Sequence, residues 1–439
     1  MVHQVLDLSD FEKPAAQKRR DEIVAVVGLG YVGLPLAVAL ARKFQSVIGF
    51  DSSAERVVAL TDGHDDNDEV TSLDLSNTSL EVSHLSGALS TATTYIVAVP
   101  TPINEFKQPD LSRLDAACAT IGRYLTPGDL VIFESTVYPG VTEGHCVPLL
   151  EEFSGLEHLR DFNVAYSPER INPGDKTNRL ETIAKLISAD TDIALERVRS
   201  IYADIISADL FACTSIKVAE AAKALENTQR DVNIALMNEM SALFEKIGIQ
   251  TGDVLKAAQT KWNFLPFTPG LVGGHCISVD PHYLRALSER EGLVPSLIEN
   301  ARRVNDAVPR RVLDRCLRHI ATLGRRARIA QVGLTFKPDV PDLRNSLALT
   351  LAKDLQNLGL DMACCDPVLE GANLLPADLN CISIDQLMNI DILIIAVPHR
   401  EVIGATDLSG ILTAQSLIVD IQNCLDGRVL PQGTVRWAL

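Results

Sequence analysis

The sequence predicts an α/β protein: two Rossmann-like parallel-sheet domains joined by a long central helix. Three observations carry this. Short β-branched runs alternate with helical patterns at both ends of the chain, as βαβ units and parallel sheets require. The two ends also echo one another. Gly28 follows the first run as Gly333 follows a later one, Phe50-Asp51 closes a run as Cys365-Asp366 does, and Ala98-Val99-Pro100 matches Ala396-Val397-Pro398. Between them, Thr214 to Ile247 is one proline-free stretch rich in Ala, Leu, Glu and Lys. It is too long for the surface of one small domain and suits a bridge that also offers a dimer face.

In chain order, residues 1–20 are polar and charged and read as an N-terminal extension. Ile23 to Ala41 is an uncharged, mostly apolar run behind Lys18, Arg19 and Arg20, which by length could anchor in a membrane. Gly28, Gly30, Gly33 and Pro35 inside it argue instead for a strand (Ile23–Val27), a glycine turn and an alanine-rich helix. Further strands are expected at Ser46–Phe50, Thr94–Val99, Leu130–Phe133 and Phe162–Tyr166. After Pro309 they resume at Arg328–Val332, Met362–Cys365, Asp391–Val397 and Leu417–Val419. The expected division is a first Rossmann-like domain over 21–212, a helical and dimerising middle over 213–308, and a second Rossmann-like domain over 309–439.

Composition bounds the function. The 439 residues are 46% hydrophobic and 22% charged, enough apolar material for sizeable cores and too much for a disordered chain. A net charge of −17 argues against a nucleic-acid partner, which needs a basic surface. Nine cysteines in so long a chain fit a reducing cytoplasm better than a disulfide scaffold.

Gly28-Leu29-Gly30-Tyr31-Val32-Gly33 is a G-x-G-x-x-G turn between a strand and a helix, with Asp51 ending the next strand. Gly28 permits the turn, Gly30 lets a pyrophosphate approach, Gly33 allows close packing, and the helix N-terminus faces the phosphates. Asp51 would accept from the ribose hydroxyls and repel a 2′-phosphate, so NAD is favoured over NADP. Val99-Pro100-Thr101-Pro102 and Glu134-Ser135-Thr136 end later strands and should line the nicotinamide side. In the later half Gly333-Leu334-Thr335-Phe336-Lys337-Pro338 replaces the glycine fingerprint. Lys337, with Arg344 beyond it, suits a phosphate on a different ligand.

Gly273-Gly274-His275-Cys276 lies in a loop after Pro266, Pro269 and Gly270. A cysteine there is expected to be an accessible thiolate nucleophile, with Asp280 as a base. No Cys-x-x-Cys partner stands nearby, so no metal is expected. Lys223 and Asn227 are spaced to share one face of the long helix. Glu169, in Ser167-Pro168-Glu169-Arg170, is a candidate acid or base, or an ion-pair partner of Arg170. A hydride acceptor together with a loop cysteine suggests a four-electron oxidation through an aldehyde, a thiohemiacetal and a thioester.

These motifs, in this order from about residue 21 onward, resemble the UDP-glucose/GDP-mannose dehydrogenase family. Within it, Ala219–Lys223 with Glu226–Ala235, Lys261–Phe264, Leu271–Tyr283 and Tyr166–Asp175 look most like the UDP-N-acetylhexosamine 6-dehydrogenases of bacterial capsule and Vi-antigen-type synthesis. The resemblance implies that Cys276 is the covalent nucleophile and that Lys223, with Asn227, stabilises alkoxide and oxyanions. It implies that Asp280 and Thr136 position a water and that Glu169 assists thioester hydrolysis. Lys337 and Arg344 would hold the phosphates or sugar, with Glu169, Arg170, Lys223, Asn227 and Gly273 also touching substrate. Gly28, Gly30, Tyr31, Val32, Gly33, Asp51, Arg56, Pro100, Thr101, Ser135 and Thr136 would bind NAD. Val279 stands where UDP-glucose enzymes have lysine, which favours the N-acetyl branch over a UDP-glucose enzyme. Asn67 stands where a small hydroxyl residue is usual.

Other readings are UDP-ManNAc or UDP-glucose oxidation, a two-electron hydroxyacid-type dehydrogenase that leaves Cys276 idle, and a catalytically silent dinucleotide sensor.

Overall fold

The computed structural model describes residues 22–67, 69–171, 179–405 and 408–439. The expected extension over 1–20, and the part of the Tyr166–Asp175 motif beyond Ile171, lie outside the described residues.

Two sheets form. The first has the strand order β3-β2-β1-β4-β5-β6-β7-β8. Its strands are β1 Ile23–Val27, β2 Ser46–Phe50, β3 Leu80–Ser83, β4 Thr94–Val97, β5 Leu130–Phe133, β6 Asn163–Tyr166, β7 Lys185–Ala189 and β8 Leu210–Ala212. The second runs β10-β9-β11-β12-β13. It comprises β9 Arg328–Val332, β10 Asp361–Cys365, β11 Ile390–Ile395, β12 Leu412–Asp420 and β13 Val435–Ala438. Both are parallel except where β6 meets β7. Helices cover both faces of each sheet, so central strands are buried on both sides and read as unbroken apolar runs; β4 and β5 are buried throughout. Each sheet accordingly has two cores, one per face.

The apolar run at Ile23–Ala41 is indeed a strand, a turn and the helix Gly33–Ala41. No helix among the described residues is long and apolar enough to cross a membrane. The bridge is one helix, Ile216–Ile247, capped by Ser215 and ended by the left-handed Gly248. Its Glu220 is buried against the first sheet and accepts the amides of Gly140 and Thr142, at 2.5 and 2.9 Å. Farther along, Asn238 donates to Asn305 and to the Gly270 carbonyl. The helix is thereby bonded both to the first domain and to the helical middle.

The internal echo extends to single hydrogen bonds. The Gly28 amide donates to the Phe50 carbonyl at 2.8 Å and the Leu29 amide to Asp51 Oδ2 at 2.9 Å. In the second sheet Gly333 donates to the Cys365 carbonyl at 2.8 Å and Leu334 to Asp366 Oδ2 at 2.7 Å. The duplicate carboxylate is closed off: Asp366 and His399 are both buried, and His399 Nε2 lies 3.1 Å from Asp366 Oδ2.

Candidate active site

The glycine turn stands at the carboxyl end of β1, where the order of the first sheet reverses between β1 and β4 and open α/β sheets bind ligands. Gly28 has φ +97°, which disfavours any side chain, and a Cβ on Gly33 would lie 1.8 Å from the Gly28 carbonyl. Nothing lies within 4 Å of the space a Gly30 Cβ would take, which leaves room for a pyrophosphate. The helix beginning at Gly33 has no acidic residue in its first turn and no side-chain cap on Val32, so its positive end is not neutralised from within. Asp51 accepts Leu29 and Ser53 amides, each at 2.9 Å, and its remaining lone pairs can serve ribose hydroxyls. Arg56 braces the turn from behind, donating to the Leu29 carbonyl at 3.0 Å and to the buried Asp65 at 2.6 Å. Asp65 in turn gathers the amides of Asn67, Glu69 and Val70, so the segment containing Asn67 is organised by a neighbouring carboxylate. These residues fit a dinucleotide.

Pro100 and Thr101 lie in the segment that follows β4, which stops at Val97 rather than the expected Val99, and Thr101 Oγ1 donates to the Thr136 carbonyl at 2.6 Å. Ser135 Oγ donates to the Val99 carbonyl at 2.7 Å. Together they sew the ends of β4 and β5. Glu134 does not line this face: it turns into the interior and pairs with Lys185 at 3.1 Å.

The cysteine loop is clamped to the second sheet. A Cβ on Gly273 would lie 2.4 Å from the Asn345 carbonyl, and one on Gly274 (φ +87°) would lie 2.7 Å from the Phe336 ring. Asn345 Nδ2 donates to the Gly274 carbonyl at 3.0 Å. Asp280 starts the helix Asp280–Arg290, and its amide donates to the Cys276 carbonyl at 2.8 Å. Asn227 Nδ2 donates to Asp280 Oδ2 at 2.5 Å. Lys223, one turn earlier on the long helix, is buried and acts electrostatically on both Asp280 and Cys276. Four of the expected catalytic residues thus converge from two helices and a loop.

Their electrostatics correct one expectation. Cys276 is not an exposed thiolate: burial, reinforced by Asp280, pushes its thiol up to about 11, against the pull of Lys223, Arg344 and Lys337. Burial also raises Asp280 to about 6, while Lys223 and the Asn227 hydrogen bond hold it down. At neutral pH the carboxylate is therefore ionised and the thiol is not. A nucleophilic role for this sulfur would require its proton to be removed first.

Glu169 is buried. The Ile171 amide donates to one carboxylate oxygen, and the other is a buried oxygen without a hydrogen-bond partner among the described residues. Arg170 pairs not with Glu169 but with Glu226 of the long helix, at 2.7 Å. Lys337 packs over the Phe336 ring, 5.9 Å from its centre.

The sequence patterns assign no role to Asp342, His275 or Tyr283, although His275 and Tyr283 lie within the cysteine-loop motif. Arg344 forks onto Asp342, Nε to Oδ1 at 3.0 Å and Nη2 to Oδ2 at 2.5 Å. His275 sits between the rings of Tyr31 and Phe336. Burial and then Arg344 lower its pKa to about 4, so it is neutral. Tyr283 donates to the Thr101 carbonyl, joining the helical middle to the end of β4. The one signal available was proximity in sequence to Cys276 and Arg344.

Comparison with known proteins agrees with this geometry. Three family models of the UDP-glucose/GDP-mannose dehydrogenases match in succession: the NAD binding domain over residues 22–206, the central domain over 217–307 and the UDP binding domain over 330–427. The chain is 43% identical over 423 residues to protein CapL of Staphylococcus aureus, covering 95% of this chain and 99% of that one. It is 45% identical over 416 residues to a UDP-N-acetyl-D-glucosamine 6-dehydrogenase of Pseudomonas aeruginosa, covering 93% and 98%. Among solved structures it is similar to a UDP-D-ManNAc dehydrogenase from Pyrococcus horikoshii, with TM-score 0.84, 29% identity and 94% and 98% of the two chains covered. The chain belongs to the UDP-glucose/GDP-mannose dehydrogenase family and is an NAD-dependent oxidoreductase acting on a UDP-sugar.

Proposed function

We propose that the chain oxidises the C6 hydroxyl of a UDP-N-acetylhexosamine, UDP-GlcNAc or UDP-GalNAc, to the uronic acid. It would do so in the cytoplasm, for capsule or O-antigen precursors. The observation that carries the reading is the convergence of Cys276, Lys223, Asn227 and Asp280 beside the glycine turn. Relatives at 42–45% identity named UDP-N-acetyl-D-glucosamine 6-dehydrogenase support the sugar, and the buried Val279 in place of a lysine agrees.

NAD, when bound, supplies a hydride acceptor for each of two successive steps. Gly28, Gly30, Tyr31, Val32, Gly33 and Asp51 would hold it, with Arg56 bracing the turn and Pro100, Thr101, Ser135 and Thr136 beside the nicotinamide. The chain does the rest. Lys223 stabilises the alkoxide left as the proton of the C6 hydroxyl departs through a water held by Thr136 and Asp280. Asp280 then takes the thiol proton as Cys276 sulfur bonds to the aldehyde carbon, giving a thiohemiacetal. The second oxidation leaves a thioester, with Lys223 and Asn227 facing its oxygen. Glu169 accepts a proton from the water that cleaves it. Lys337 and Arg344 face the diphosphate from the 309–439 domain, and Arg170 and Gly273 border the sugar.

The domains divide at 21–212, 213–308 and 309–439. Val218, Leu225, Leu236, Leu243 and Ile247 are exposed on the long helix, seven, eleven, seven and four residues apart. At 100° per residue they fall on one face. A second copy of the same stripe would cover it in a two-fold dimer.

NADH production against UDP-GlcNAc, UDP-GalNAc, UDP-ManNAc and UDP-glucose tests the substrate. Highest kcat/KM on an N-acetylated glucose or galactose derivative is expected, and preference for UDP-glucose or UDP-ManNAc overturns it.

A further inference from the structure

Beneath the active-site strand ends lies an ion pair that the catalytic scheme does not use. Glu134 closes the turn after β5, directly before Ser135-Thr136; Lys185 opens β7. They meet at 3.1 Å with both side chains almost sealed from solvent. Tyr202, from the helix Asp192–Ala203, donates its hydroxyl to the same Glu134 oxygen, and the Lys185 ammonium lies 4.7 Å from the centre of its ring.

Lys185 reaches in a second direction. Its Nζ donates to the carbonyls of Ser167 at 3.5 Å and Pro168 at 3.4 Å, the two residues that precede Glu169. One ammonium therefore ties the end of β5, which carries Thr136, to the end of β6, which carries Glu169. Among the described residues Glu169 has little else to hold it: one oxygen takes its own chain's Ile171 amide and the other is a buried orphan. Glu134 Oε2 is a second buried orphan among the described residues. Burial raises the Glu134 carboxyl, Lys185 opposes this and the nearby Glu169 adds to it. A buried ion pair contributes little to stability over an apolar pair of the same shape, so its position is its more informative property.

We propose that Glu134 and Lys185 are positioning residues for thioester hydrolysis, holding the Glu169 carboxylate in register with Thr136. This rests on the reading of Glu169 as the hydrolytic base. In that step water oxygen bonds to the acyl carbon and a water proton passes to Glu169. The C–S bond breaks, and Cys276 leaves as thiolate. Both hydride transfers precede it, so a loosened Glu169 slows the last step and spares the earlier ones.

The experiment uses the full chain with UDP-GlcNAc and NAD, follows NADH from the first turnover, and weighs the intact protein after quenching in steady state. Lys185→Met is expected to keep the initial NADH burst within roughly threefold while steady-state kcat falls roughly 10- to 100-fold. The Cys276 acyl adduct should appear in the mass spectrum. Lys185→Arg is expected to recover part of the loss. Glu134→Gln/Lys185→Met removes both buried charges and keeps the assay informative should the single variant not fold; it too should accumulate the adduct. A folded double variant that turns over at the wild-type rate without adduct, or burst and steady state falling together, overturns the proposal. Glu169→Gln is the reference: absence of adduct there overturns the base assignment itself, and with it the proposal, whereas adduct in Glu169→Gln alone overturns only the positioning role.

Discussion

The guanidinium of Arg344 stacks 4.8 Å from the centre of the Tyr31 ring. Tyr31 belongs to the glycine turn and Arg344 to the loop after β9, so the stack joins the two ligand sites directly. A cation–π contact of this kind is worth about 1 kcal/mol, and Arg344 also forks onto Asp342. Arg344→Lys keeps the charge but loses fork and stack. The expected result is a KM for the UDP-sugar raised roughly tenfold with kcat changed less, measured by steady-state NADH formation.

Cys276→Ala is expected to abolish formation of the acid, because no thiohemiacetal can form. The wild-type enzyme should release two NADH per sugar consumed, and product analysis of the variant should show no uronate.

Asp280 sets an acid limb and carries a cost in stability. Burial raises its folded pKa to about 6, against an ordinary value of 3.8. The folded state therefore binds more protons than the unfolded state between those values, and stability falls as pH rises through that window. Above it the buried charge costs on the order of 3 kcal/mol. Activity that needs the carboxylate should fall as pH drops through about 6. Asp280→Asn should lose kcat roughly 100-fold or more, yet raise Tm at neutral pH. A lowered Tm would contradict the electrostatic account.

Gly33→Ala places a methyl 1.8 Å from the Gly28 carbonyl. The turn must open, so NAD binding measured by calorimetry should weaken far more than UDP-sugar binding.

Leu236→Glu puts a charge in the middle of the long helix's exposed stripe. Light scattering should show a smaller assembly than the wild type, with helicity unchanged.

What was legible in the sequence follows from how local each signal is. The parallel strands that precede the glycine turn, Asp51 and Glu134-Ser135-Thr136 are almost wholly buried apolar runs, and their places along the chain were readable. The edge strand Leu80–Ser83 is only partly buried, and Lys185–Ala189 begins with a buried charge, so neither shows an apolar run. The antiparallel step from β6 to β7 leaves no pattern in either strand. Contiguous motifs revealed Cys276, Lys223 and Asn227. The stack of Arg344 on Tyr31 and the seat of His275 depend on two domains meeting, which spacing along one chain does not encode. The protonation of Cys276 also depends on burial by distant segments.

The sealed carboxylate of the second sheet bears on timing. Asp366 repeats Asp51, but His399 occupies it, so among the described residues one half of the repeat keeps an open seat for a dinucleotide. On the proposed mechanism two oxidations would share that seat in turn. Spent cofactor has to leave and fresh cofactor enter while the half-oxidised sugar stays behind. A covalent tether on Cys276 would then act as custody, keeping a reactive aldehyde from escaping during the exchange.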